Sequence, residues 1–266
     1  MRSKSRTQSG FTLMELIGAM AVIAILAAVL APSLTDGIDR AYSEAEQQNL
    51  EGLREALERH VLDSKSIPTQ TAADWSAAVA DYADLPLADV QFNARGYARR
   101  LYVDPSFFSV SAAPFPGYTQ GAGLTARPAS PRLMLVSDLA GNPPPPPTTS
   151  AAFAAIWDQT SSATVVEGKK LKIERLNLAG RFHRLLLLNS SSQQSGYALE
   201  GGAMNPVPAA SGGSDGSLTR YVLKGSRLAV HFSPFPSGAI NTSTLVSDDL
   251  ALRYRTDGST WFWERS

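Results

Sequence analysis

A single acidic residue inside an otherwise apolar stretch constrains this chain more than any other feature. Residues 11–31, FTLMELIGAMAVIAILAAVLA, hold one charged group, Glu15. As a helix, such a run spans about 31 Å, the hydrocarbon thickness of a bilayer. The preceding segment, MRSKSRTQSG, carries Arg2, Lys4 and Arg6 and no acid. That asymmetry places the N-terminus in the cytoplasm and the bulk of the chain across the membrane. An ionised carboxylate within a span costs about 2.5–3.5 kcal/mol on insertion scales. A plain anchor has nothing to offset that cost, so Glu15 is expected to carry a function. A secretory signal is the other simple reading, with Val29-Leu30-Ala31 as its small-residue cleavage site. Against it, Pro32 would follow the cut and Glu15 interrupts the apolar stretch.

The remainder reads as ordinary globular material. The chain has 266 residues, 44% apolar and 18% charged, enough to bury a core without covalent staples. It has no Cys, which excludes a disulfide framework, a Cys zinc site, an iron–sulfur cluster and a Cys nucleophile. Its 24 basic and 24 acidic residues argue against a nucleic-acid binder relying on global charge.

Ser9-Gly10-Phe11-Thr12-Leu13-Met14-Glu15-Leu16, behind a short basic leader and ahead of an uninterrupted apolar run, resembles the processing site of type IV pilins and of the pseudopilins of type II secretion systems. The resemblance implies that a prepilin peptidase/methyltransferase cuts between Gly10 and Phe11 and methylates the new amino group. It also implies that Glu15, fifth in the mature chain, faces the N-terminus of a neighbouring subunit during assembly. A freed α-amino group is largely protonated near neutral pH, and buried charges need partners. Pairing inside an apolar bundle would make Glu15 a device for axial register. Other pilin or pseudopilin subunits, an inner-membrane assembly platform and the lipid bilayer are the implied partners. The implied location is the bacterial inner membrane, single-pass, with the C-terminal domain periplasmic.

Pro32 lacks the N–H that would bond to Ala28 and is expected to break or loosen the helix there. Beyond it, residues 33–63 read as an amphipathic continuation. Leu50, Leu53, Leu57 and Val61 recur on one face, extended less strictly by Leu34, Ile38, Ala41 and Ala45, and Glu55 and Arg59 form a favourable i,i+4 pair. A helix over residues 12–63 would be about 78 Å long. The pattern predicts a short helix over residues 72–83, a strand at 99–103, a long Pro/Gly-rich loop at 111–132 and a short strand at 133–136. A stiff Pro143–Pro147 connector and a helix over 151–157 follow. Strands are expected at 171–178, irregular near Glu174-Arg175, and at 182–188. Residues 189–217 are expected to be an exposed mobile loop. Hairpins are expected at Lys224-Gly225-Ser226 and, as a two-residue turn, at Asp257-Gly258. The whole is α+β, a long N-terminal α-helix packed on an antiparallel β-sheet, pilin-like. It divides into a leader (1–10), an assembly helix (11–31), its amphipathic continuation (32–63) and a globular domain (64–266).

No catalytic constellation emerges. Gly212-Gly213-Ser214-Asp215-Gly216 matches G-x-S-x-G but lacks a preceding buried strand, and His60, His183 and His231 lack metal-ligand spacing. Some major pseudopilins bind calcium near the C-terminus, where Asp248 and Asp249 stand as weak candidates; no other cofactor is implied. Lys169, Lys170, Lys172, Arg175, Arg181 and Arg184 cluster locally. The chain therefore reads as a structural, non-enzymatic filament subunit, minor or specialised given its size and long loops. An anchored or exported enzyme or binding domain, and a DNA-binding minor pilin, are the alternatives.

Overall fold

The computed structural model describes residues 13–107 and 117–266, with only the backbone for residues 29–33. Contacts divide the chain into two compact units, Met1–Ala45 and Glu46–Ser266. Helix α1, Leu13–Ser64, contributes to both. Helical backbone continues through position 32, so Pro32 does not terminate α1. Its missing N–H removes a single bond from a helix that has many.

The second unit begins within α1 because that is where the helix acquires a buried face. Leu50, Leu53, Leu57 and Val61 are each at most 1% exposed, and Ala56 joins them. The expected extension of the stripe is not covered: Leu34 is 65% and Ile38 53% exposed, and Ala41 and Ala45 are exposed as well. Against the buried stripe pack Trp75 and Val79 of α2 (Ala72–Ala83), Val90 of α3 (Leu87–Gln91), and Ile67 of β1 (Ser66–Ile67). A three-stranded antiparallel sheet of β2 (Arg100–Val103), β4 (Arg132–Asp138) and β5 (Leu171–Asn177), in the order β2-β4-β5, completes this core. A separate two-stranded sheet is formed by β3 (Tyr118–Thr119) pairing antiparallel with β1. The three-stranded sheet's other face is covered by α4 (Ser150–Trp157), which places Phe153 and Ile156 against Tyr102, Met134, Val136 and Ile173. Thr149 caps α4, its Oγ1 accepting from the Ala152 N–H at 3.2 Å. The β4–β5 register is unbroken, so the irregularity expected near Glu174 is absent.

The last third forms two four-stranded sheets packed face to face. One has the order β13-β12-β6-β9: Trp261–Arg265, Leu250–Thr256, Phe182–Asn189 and Gly216–Leu223. The other has the order β11-β10-β7-β8: Ile240–Val246, Ser226–His231, Ser195–Leu199 and Asn205–Val207. Leu185, Leu187, Tyr197, Val222, Leu228, Val230, Tyr254 and Trp263 fill the space between them. Between these two sheets the polar tips of Tyr197 and Trp263 find acceptors. Tyr197 Oη donates to the Ala122 carbonyl at 2.6 Å, and Trp263 Nε1 to that of His231 at 3.0 Å.

The architecture is α+β as expected, with several corrections. Strands are distributed over several sheets rather than one, and β6 and β12 run parallel. Lys224-Gly225 is no hairpin: β9 and β10 lie in different sheets, and the chain crosses between them there. Asp257-Gly258 does turn a hairpin, but Thr256 pairs with Trp261, so the loop is longer than two residues. Asp257 Oδ1 accepts from the Ser259 and Thr260 N–H groups at 2.9 and 2.8 Å. Those bonds hold its carboxyl well below the usual range. The supposed mobile loop at 189–217 contains β7, every residue of which is buried. Glu55 pairs with Arg54 at 3.5 Å rather than with Arg59, and Arg54 reaches Glu58 at 3.6 Å.

Glu174 faces α1 from β5. It accepts from Gln47 Nε2 and lies 3.6 Å from Arg54. Burial raises its pKa, with Arg54 partly opposing and Glu51 and Glu167 adding to the rise. A carboxyl raised on folding contributes stability that is complete below its unfolded pKa, about 4.3, and is lost as pH rises through the folded value. Thermal unfolding of Glu174→Gln is therefore expected to vary less with pH than the native chain just above pH 4. Parallel pH profiles of the two proteins would contradict this.

Candidate functional site

The candidate site is the N-terminal half of α1. Gly10 and Phe11 lie outside the described residues. Glu15 stands in the first turn of α1 and is exposed, where the positive end of the helix dipole favours a carboxylate. Around and beyond it, Leu13, Met14, Leu16, Ile17, Met20, Val22, Ile23, Ile25 and Leu26 are each at least 52% exposed. They occur on every side of the helix, the signature of a segment made to be surrounded by apolar material. Soluble monomers rarely expose so large a contiguous apolar surface, and such a surface marks contact with a partner or a membrane. Among the described residues no helix is long and apolar enough to cross a membrane. The segment expected to span, 11–31, includes residues 11 and 12, which are not described, and 29–31, described by backbone alone.

The other candidates are spread through the globular unit. Asp248 and Asp249 follow β11, and the Arg184 N–H donates to Asp249 Oδ1 at 2.8 Å. Among the described residues no group of three or more His, Cys, Asp or Glu side chains could hold a metal ion. His60 lies on α1, its Nε2 3.2 Å from Ser64 Oγ and its ring edge-on to Tyr82, and burial lowers its pKa. His183 Nδ1 is 3.9 Å from Asp249, and His231 Nδ1 is 3.1 Å from the Gly238 carbonyl.

Ser214 sits in an exposed turn, and Gly216 opens a strand rather than a helix. A Cβ at Gly216 would lie 2.0 Å from the Pro208 carbonyl oxygen, so this glycine serves close backbone packing. The basic cluster is partly consumed internally: Arg175 pairs with Glu167 at 3.0 Å and Arg181 with Glu58 at 2.6 Å. Sequence reasoning missed the Glu46–Arg99 pair, which joins α1 to the sheet. Arg99 Nε and an Nη donate to the two carboxylate oxygens at 2.6 and 2.8 Å. An Arg just before a strand and a Glu in a helix gave no signal of meeting.

A long helix with an uncovered apolar N-terminal half, continuing into the core of an α+β unit, defines a pilin-like subunit. Residues 5–31 match the prokaryotic N-terminal methylation motif. The chain is also similar to type II secretion system core protein G of Escherichia coli K12, 31% identical over 98 residues. That alignment spans 37% of this chain and 66% of the relative's length. The protein of the same name from Pseudomonas aeruginosa is 31% identical over 100 residues, covering 38% and 69%. The one from Aeromonas hydrophila is 30% identical over 102 residues, covering 38% and 70%. The chain belongs to this family of type II secretion core proteins G, the pseudopilins, which are structural subunits.

Proposed function

We propose that this chain is inserted in the bacterial inner membrane, cut between Gly10 and Phe11, N-methylated at Phe11 and polymerised into a type II secretion pseudopilus through its N-terminal helix. Residues 1–10 act as leader, 11–31 as assembly helix, 32–63 as its continuation, and 64–266 as the periplasmic globular part. The partners are a prepilin peptidase/methyltransferase, neighbouring subunits, an assembly platform and the bilayer. The role requires no bound cofactor.

One observation carries this reading: the methylation motif overlaps the N-terminal half of α1, where the described apolar side chains from Leu13 to Leu26 are uncovered all round. Lipid satisfies that surface before assembly and neighbouring helices satisfy it afterwards. Glu15 finds its countercharge in the amino group of Phe11 on the adjoining subunit. Glu15→Ala removes the carboxylate while making the helix more apolar, so membrane insertion is expected to be retained. Filament incorporation is expected to fall by about tenfold or more, the equivalent of about 1.4 kcal/mol per contact. Incorporation at the native level, scored by shearing and sedimentation, would contradict the register role.

A further inference from the structure

Two patches of opposite charge sit at opposite edges of the β2-β4-β5 sheet. Beyond β2, α3 is held by the Arg99 N–H donating to the Gln91 carbonyl at 2.7 Å, and by the bridge between Phe92 and Ala98. On this side Leu85, Leu87 and Phe92 are 43%, 46% and 45% exposed. Asp84 and Asp89 are exposed among them. Among the described residues none of these carboxylates enters an ion pair. At the far edge, the chain entering β5 presents Val166, 65% exposed, with Lys169 exposed and Lys172 half-buried. Those two lysines also lack an ion-pair partner among the described residues.

We infer that the α2–α3 face of one copy docks on the β5 edge of the next, apolar centre on apolar centre and aspartates on lysines. The proposal deepens the filament reading and rests on it. The two patches cannot satisfy each other within one copy. They are separated by two strand spacings, about 10 Å, far beyond ion-pair reach. A contact joining unlike patches is heterologous, and repeated from copy to copy it propagates rather than closing on itself. An apolar centre ringed by charge is the ordinary anatomy of such an interface. The opposed charges fix which face meets which. A second copy of this chain is the occupant because it alone is certain to bring the complementary patch in matching number.

The absence of cysteine makes the test clean. Leu87→Cys and Val166→Cys are placed together in the full-length chain, in membranes where it assembles, and oxidised. The expected result is a series of disulfide-linked dimers, trimers and higher species, with neither single variant forming a dimer. Adding Lys169→Glu and Lys172→Glu is expected to reduce the series by about tenfold. Adding Asp84→Lys and Asp89→Lys as well restores it. A dimer from either single variant would show a symmetric contact and overturn the proposal. Leu16→Cys reports helix contact in parallel. Its cross-linking without any 87–166 series overturns the docking proposal and leaves the filament reading standing, while failure of both overturns both.

Discussion

Arg99→Met is expected to lower the stability of the globular unit by about 3–5 kcal/mol, because it strands a buried carboxylate. Arg99 is 3% and Glu46 1% exposed. Besides the paired contacts to Glu46, Arg99 donates to the carbonyls of Asp89, Val90 and Phe92. One guanidinium thus fixes α1, α3 and the start of β2 together. Removing it leaves Glu46 without a countercharge and three carbonyls without their donor. Replacing both partners, Glu46→Leu with Arg99→Met, should recover much of the loss, since two apolar groups need no solvation. Urea titration of the detergent-solubilised chain reads the midpoint. A single variant as stable as the native protein would mean that water reaches the pair.

Trp75→Ala is expected to cost a similar amount, about 3–5 kcal/mol, through the cavity it leaves. Trp75 is 1% exposed and belongs to the cluster that contains Leu50, Leu53, Leu57 and Val61 of α1. It is the largest fully buried side chain of α2. For a unit of this size the loss corresponds to a fall in melting temperature of about 10 °C. A fall of only a degree or two would show that α2 is not part of the cooperative core.

The contrast between these residues shows what the chain's letters reveal. The face holding Leu50, Leu53, Leu57 and Val61 is legible because helical spacing and burial obey the same period. Helix α2 is legible for the same reason, bounded by Thr71 and by Asp84, whose φ is 53°. Strand β7 is not. Ser195 and Gly196 look like loop residues, yet both are buried, and the Met204 side chain lies so close that a Cβ on Gly196 would be 2.7 Å from its Sδ. Tyr197-Ala198-Leu199 is the one apolar signal in that region. The crossing at Lys224-Gly225 could not be read because a turn between two strands looks the same whether they pair or part.

At the candidate site, residues 5–31 were legible as a methylation motif because such a motif is a local sequence pattern. The docking faces were not, because they depend on which edges of a sheet the fold leaves open.

Mass spectrometry of the intact native protein addresses the core proposition most directly. A chain that begins at Phe11 and carries one added methyl group is the predicted result. A polypeptide starting after Ala31, or one that retains residues 1–10 in the assembled material, would contradict it.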